Sequence, residues 1–540
     1  MSNLAKEIID VQQTLAKDRS TLDSHCQEIA DVMLPRQNNF WRTNQTEGEK
    51  RNQNIVSSVA QNALEKFASI LEYTVAPRYQ SWHKLQTTNT ELNKIHEVSL
   101  YYDQLNDFLQ SKRYSGKSTF STQLHETLTS LGAFGTGVLV TTEDLDSLSV
   151  NYKSSHLSEN FFMQNDKGNV DVNYRLHKMT ARQAVMFFGE DKLPEKIKKA
   201  ADRDPREKFE FIHLVKPNED IKPSAKDYRS KAFSSYHVSI EGNVLLKEGG
   251  YNTMPYHITR YTTAPNEIYG RSPGMTALSE VKMVNAMRKT DLRARHLNVS
   301  PPIMTSDGVS MSRPIIKPDA INRGYLDENG NPRMKPFLSG ANIGISNDTL
   351  DQSYSIINDI FLVTLFKIAV ETPQMTATEV LERAAEKGAL LAPSAGRIQS
   401  ELLSPLISRE IDIYVNMGMI PPPPQVLIEA QDEFEVEYIS PLNVMQKSGE
   451  AAAASQILND MVALAQFNPQ IMNKIDYDGY VAVMREARGA PSSMFLPDEA
   501  VAEINRMQQE QAAEQAEIEN APALAGGIKD LAEAEATANA

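Results

Sequence analysis

The sequence predicts a helix-rich α+β protein, and three observations carry that expectation. Apolar residues recur at helical spacing through most of the first 132 positions. A central block from Val138 to Gly250 is rich in β-branched and aromatic residues broken by turn signals. Helical spacing returns from Met275 onward. The chain has 540 residues, 41% hydrophobic and 23% charged, with a mean hydropathy of −0.41. That is a globular composition, long enough for a sizeable core and for roughly three or four domains.

Taken in order, residues 3–34 place Leu4, Ile8, Val11, Leu15, Leu22, Ile29 and Val32 on one helical face. Residues 54–76, 93–112 and 117–132 read as three further helices. VLVTTEDL, LSVNYK, FEFIHLV and YHVSIEGNVLLKEGG read as strands, interrupted by a short helix at 180–190. A long helix follows from Met275 to Leu297 and stops at Val299-Ser300-Pro301-Pro302, because proline cannot continue it. Residues 301–349 are crowded with proline and glycine and form an irregular or β module. An apolar helix over 351–370 comes next, then helices at TATEVLERAAEKGALL and GRIQSELLSPLISREIDIYVNMG. PPPP (421–424) is a rigid spacer. QVLIEAQDEFEVEYIS returns to strand texture, and 443–540 is helical with an Ala/Glu/Gln-rich end that is a solvated helix or disordered.

The bulk properties narrow the function. A formal charge of −15 and a pI near 5.3 argue against a protein that grips nucleic acid tightly along its backbone, since counterion release needs a basic face. The single cysteine, Cys26, allows no disulfide framework within the chain and fits a reducing compartment. The histidines show no HxxxH or HExxH pair, so no metal site is expected. The N-terminal stretch carries charges every few residues and does not read as a signal peptide. The longest apolar run, 360–370, is interrupted by Lys367 and is about half a membrane span.

RYSGKSTF (113–120) ends like a phosphate-binding loop at Gly116-Lys117-Ser118. Such a loop needs a glycine five positions earlier and a preceding strand. Ser111 stands there instead, and the segment before it has helical spacing. The reading is a helix start with Ser115 or Ser118 as N-cap. Gly135-Thr136-Gly137 reads as a tight turn between helix and strand. Glu433, Glu435 and Glu437 alternate with Phe434, Val436 and Tyr438, the pattern of a half-buried strand with one solvated face. Asp476 and Asp478 read as a turn. No catalytic residues and no cofactor are expected.

Six stretches, taken together and in order, resemble the head-to-tail connecting (portal) proteins of short-tailed, podovirus-type bacteriophages. They are SVAQNALEKFASILEYTVAPRYQSWHKL (58–85), STFSTQLHETLTSLGAFGTGVL (118–139), NEIYGRSPGMTALSEVKMVNAMRK (266–289), NVSPPIMTSDG (298–308), ETPQMTATEV (371–380) and GRIQSELLSPLISREIDIYVNMGMIPPPP (396–424). The resemblance covers approximately residues 20–515. It implies the portal fold: a wing (1–272), stem helices at 273–298 and 351–371, a clip (299–350), a tunnel loop and wing return (372–442), a helical crown (443–500) and a variable tail (501–540). It implies a ring, typically a homododecamer, at one capsid vertex of a virion assembled in the host cytoplasm. Double-stranded DNA would pass through it, packaged by a separate terminase that alone hydrolyses ATP. The major capsid protein, scaffold and tail adaptor proteins would be its other partners, with no membrane. The expected tunnel loop includes Thr372, Pro373 and Gln374, with Thr376 and Glu379 forming a capping box behind it.

Lys282, Lys289, Arg293 and His296 are spaced 7, 4 and 3 apart and share one face of the first stem helix. The open readings are a channel-facing stripe that touches phosphates loosely, and, against it, a solvated outer face or inter-subunit salt bridges, for instance with Glu280 or Asp291 of a neighbour. The near-continuous apolar surface of the second stem helix (Ile356, Ile357, Ile360, Phe361, Val363, Leu365, Phe366) suggests burial on most sides, within one chain or between copies. An NTP-driven motor and another virion scaffold, such as an internal core or tail protein, are the competing functions.

Overall fold

The fold is that of a computed structural model. It describes residues 2–364 and 392–438, apart from 42–47, 52–54, 94, 220, 223–226, 306–316, 319–320, 322, 324–325, 337–342 and 431–433. Beyond 438 it describes parts of 453–484 and 501–511. The first half holds helices α1 (Ser2–Asp18), α2 (Ser20–Met33) and α3 (Val59–Val75), strand β1 (His83–Thr87), and helices α4 (Thr90–Asn93), α5 (His96–Arg113) and α6 (Phe120–Phe134). Strands β2 (Thr136–Asp144), β3 (Ser149–Ser154), β4 (Asn160–Gln164) and β5 (Val170–Thr180) lead to helices α7 (Ala181–Phe188) and α8 (Glu195–Arg203). Strands β6 (Lys208–Pro217), β7 (Phe233–Ser239), β8 (Val244–Tyr251) and β9 (Tyr256–Arg260) follow. Then come helix α9 (Pro273–Val299), strands β10 (Ile303–Thr305) and β11 (Met334–Pro336), and helix α10 (Ile343–Ile360). Helices α11 (Ser404–Asn416) and α12 (Gln425–Ala430) and strand β12 (Phe434–Tyr438) follow, and further helical residues are described at 392–403 and within 453–484 and 501–511. The protein is mixed helix and sheet, as the α+β expectation requires.

The chain divides into two compact units. The first comprises 1–80, 112–420 and 440–445, and the second 81–111, 421–439 and 446–540. In the first unit an antiparallel five-stranded sheet runs β4-β5-β6-β7-β8, and a three-stranded sheet runs β3-β2-β9. Ala5, Ile8 and Ile9 of α1 pack on one face of the larger sheet, against Phe161, Tyr174, Leu176, Ile212, Leu214 and Val238. Residues of α7 and α8 close part of the other face over Phe209, Phe211 and Leu246. In the second unit β1 pairs antiparallel with β12. Lys84 stands opposite Glu437 and Gln86 opposite Glu435, so the glutamates lie on one polar face, as the alternation predicts.

Several expectations change. The helix over 3–34 is two helices, and Arg19 stands at the break. Its guanidinium donates to the carbonyls of Leu157 (2.9 Å), Ser158 (3.1 Å) and Asn160. Gln425–Ala430 is a helix, not strand texture: the Leu427 and Ile428 amides donate to the Pro424 carbonyl at 3.0 and 3.2 Å, so the helical turn begins directly on the proline run. Helix α10 covers Ile343–Ile360, so it starts before the expected position 351, and Leu362 after it has a left-handed φ of 59°, which interrupts the helix without a glycine; 365–371 lie outside the described residues. Ile357, Phe361 and Val363 are buried within one chain, while Ile356 is 47% exposed. Leu365, Phe366, the TATEVLERAAEKGALL helix, Glu433 and Asp478 lie outside the described residues, as does most of 443–540. Asp476 accepts from the Gly479 amide at 3.1 Å and its carbonyl accepts from the Tyr480 amide at 2.9 Å, so it caps a helix start rather than forming the expected turn. No described helix is long and apolar enough to cross a membrane.

A close crossing of backbones roots α9 in the sheets. Gly135 ends α6 at φ 77° and its carbonyl lies against Gly270, so a Cβ on either residue would collide with the other's backbone. Gly274 sits as tightly on α6, where a Cβ would stand 2.7 Å from the Ala133 carbonyl. Gly135→Ala combines the strained φ with this collision and is expected to lower stability by about 3 kcal/mol or more, read as a shift of the urea unfolding midpoint. Gly116→Ala, with open space around it, serves as the control and is expected to change little.

Candidate nucleic-acid interface

Helix α9 starts where local chemistry demands. The Ser272 hydroxyl accepts from the Met275 amide at 2.9 Å and donates to the Ala133 carbonyl at 2.8 Å, and Pro273 occupies the first helical position. It runs past the predicted end to Val299. Ala277, Val281 and Val284 form its buried stripe, which packs against α2, α6 and α10. Asn285 adds a polar anchor by accepting from the amides of Val56 and Ser57, each at 3.0 Å.

The helix is net basic within an acidic chain. Lys282, Arg288, Lys289, Arg293 and Arg295 outweigh Glu280 and Asp291, a formal charge of +3 against −15 for the whole protein. Lys282, Lys289, Arg293 and His296 are all exposed on the face predicted for them. They are not equivalent. Lys282 forms an ion pair with Glu28 of α2 at 2.5 Å, and this hydrogen bond holds the Glu28 carboxyl below its usual range. Lys289, Arg293 and His296 make no ion pair with a described residue.

Asp291 is not exposed for a neighbour to reach. It is 4% exposed and lies on the buried side of α9. Arg295 approaches it at 2.8 Å and Arg288 at 3.7 Å, from four positions after and three before. Sequence reasoning missed Arg288 and Arg295, although a carboxylate flanked by arginines at −3 and +4 is a signal that could have found them. Thr372, Pro373 and Gln374, with the Thr376–Glu379 capping box, lie outside the described residues.

The phosphate-loop question closes on geometry. Gly116-Lys117-Ser118 lies in an exposed link between α5 and α6, with helix rather than strand before it. Thr119 is the N-cap residue of α6, its hydroxyl donating to the Tyr152 carbonyl at 3.0 Å, while the Ser118 hydroxyl accepts from the Phe120 amide at 3.2 Å. The residue of consequence in that stretch is Arg113, which is buried and doubly hydrogen-bonded to Glu410 of α11, at 3.1 and 2.5 Å. The Tyr152 hydroxyl donates to the same carboxylate at 2.6 Å.

A second buried polar group occupies the five-stranded sheet. Buried His213 and His237 face each other across β6 and β7, with half-buried Arg175 of β5 on one side and exposed Lys247 of β8 on the other. The His213 and His237 rings stack with centroids 4.0 Å apart. His213 Nδ1 lies 2.6 Å from the Tyr256 hydroxyl of β9, which ties this sheet to the smaller one, and Nε2 lies 2.9 Å from the Ser235 hydroxyl. Among the described residues no group of His, Cys, Asp and Glu is arranged to hold a metal ion.

The described structure is thus an α+β body with one long, net-basic helix, half-buried on one side and exposed on the side that carries Lys282, Lys289, Arg293 and His296. The chain matches the bacteriophage head to tail connecting protein family over residues 5–496 and belongs to it. It is 28% identical over 518 residues to the probable portal protein of Bordetella phage BPP-1, spanning 94% of this chain and 92% of that one. It is 27% identical over 527 residues to the portal protein of Salmonella phage epsilon15, spanning 96% and 94%. Among solved structures it is similar to a chain in the neck of an empty GTA particle computed with C6 symmetry, at 11% identity and a TM-score of 0.34, over 74% of this chain and 86% of that one. That last likeness is too slight to add to the fold.

Proposed function

We propose that this protein is the portal subunit of a bacteriophage. Copies surround a channel at one capsid vertex, through which double-stranded DNA enters under a separate terminase and later leaves, and to which the tail attaches. The observation that carries the reading is the family match across residues 5–496. The ring is a homododecamer, and the subunit itself performs no catalysis. Residues 1–272 serve as the wing, α9 and α10 as the stem, the segment between them as the clip, 372–442 as the tunnel loop and wing return, and 443–500 as the crown. Thr372, Pro373 and Gln374 belong to the loop that presses on DNA.

In this reading Lys289, Arg293 and His296 face the channel. A sliding duplex must be guided without being held, and each phosphate neutralised adds affinity through counterion release. Three exposed basic groups per acidic subunit suit that compromise. Lys282, already paired with Glu28, contributes less. The test is the salt dependence of duplex binding by the assembled protein. Lys289→Glu with Arg293→Glu is expected to flatten the plot of log affinity against log salt by about 0.9 for each phosphate no longer neutralised. An unchanged slope removes the stripe from the channel.

A further inference from the structure

We infer that Asp291 is a positioning residue that withdraws Arg288 and Arg295 from the DNA-facing charge of α9. The inference rests on the stripe reading above. Five basic side chains on one helix would be a strong brake on a moving polyanion. Asp291 is buried on the side of α9 that carries Ala277, Val281 and Val284, and its carboxylate lies within reach of both arginines, at 2.8 and 3.7 Å. The two guanidiniums remain partly exposed, at 41% and 39%, so the acid neutralises them at the surface without burying them. Lys289, Arg293 and His296, on a different face, have no such acid among the described residues. One buried carboxylate thus divides the basic residues into a neutralised pair and a free set.

The expected results are specific. Arg288→Gln and Arg295→Gln, singly, leave the salt slope of duplex binding at its wild-type value, whereas Lys289→Gln flattens it. Asp291→Asn, nearly isosteric, steepens the slope by about 0.9 for each phosphate newly neutralised. Adding Arg288→Gln and Arg295→Gln to Asp291→Asn returns the slope to wild type, a rescue that a purely structural role for Asp291 would not produce. Equal flattening by Arg288→Gln, Arg295→Gln and Lys289→Gln overturns the inference, and that comparison does not depend on the Asp291 variant folding. If Lys289→Gln and Arg293→Gln change nothing, the stripe reading itself falls, and the two failures are told apart.

Discussion

Glu410→Ala is expected to destabilise the first unit by about 3–5 kcal/mol, because it leaves a buried guanidinium without its counter-charge. Arg113 and Glu410 are 1% exposed each. Burial alone would lower the Arg113 pKa, and the adjacent carboxylate reverses that, so the arginine stays charged. Tyr152 is held far above its usual range, first by burial and then by Glu410, so it remains a neutral donor. Three groups from α5, β3 and α11 therefore satisfy one another in a site closed to bulk solvent, where a deleted partner is not readily replaced. Urea unfolding of Glu410→Ala checks the magnitude. The combination Arg113→Met, Glu410→Leu, Tyr152→Phe removes all partners together and is expected to recover most of the loss. If Glu410→Ala unfolds within about 1 kcal/mol of wild type, the pair is not the anchor described here.

Acidification is expected to unfold the protein steeply between about pH 6.5 and pH 4, a range set by its buried histidines. Burial is the main cause of every shift, followed by neighbouring positive charge. His177 is pushed down to about 3, with Arg175 beside it. His237 falls to about 4 beside Lys247, and His257 to about 3 beside Arg409. His213 lies well below its usual value, with His237 and His177 adding to burial. The unfolded chain takes up these protons as pH drops through about 6.5, and the folded chain cannot, so stability is present above that range and lost below it. Each ring contributes about 1.4 kcal/mol per pH unit, and four together about 5. His125 acts the other way. Its hydrogen bond to Glu72, and then Glu65, raise its pKa, so its support is present below pH 6.5 and lost as pH rises through the raised value, and partial exposure keeps it small. His237→Phe should remove one titrating ring while keeping the aromatic packing on Phe187 and Phe188, and so reduce the slope by about 1.4 kcal/mol per pH unit. An unchanged slope in that variant means the ladder does not govern acid unfolding.

These two buried groups also mark where sequence reading stops. Apolar periodicity located α1, α3, α6 and α9 and the strands β2, β3, β6, β7 and β8, because each has one apolar face against the core. It missed β5, the longest strand, because VDVNYRLHKMT sends Val172, Tyr174 and Leu176 to one face and buried Asn173 with half-buried Arg175 and His177 to a polar layer largely covered by other strands. A polar face reads as solvent until its partners are known, and those partners come from β4, β6 and β9. Arg113 was passed over in favour of the glycine-lysine-serine beside it, since nothing local announces a partner 297 positions away. The long helix broke at Arg19 for the same reason: its bonds to the carbonyls of 157–160 are tertiary. On the candidate face, helical spacing placed Lys282, Lys289, Arg293 and His296 together, but their different pairing depends on Glu28 and on the burial of Asp291.

The central claim is that this acidic chain surrounds DNA and meets it with one sparse basic stripe. The most direct test is electron cryomicroscopy of the assembled full-length protein, carried to side-chain resolution in the stem. The expected result is a closed ring with an open centre of duplex-DNA width, and Lys289, Arg293 and His296 on the channel wall. A ring with those residues on its outer surface contradicts the stripe, and filaments or solid discs contradict the portal reading in favour of an internal core or tail scaffold.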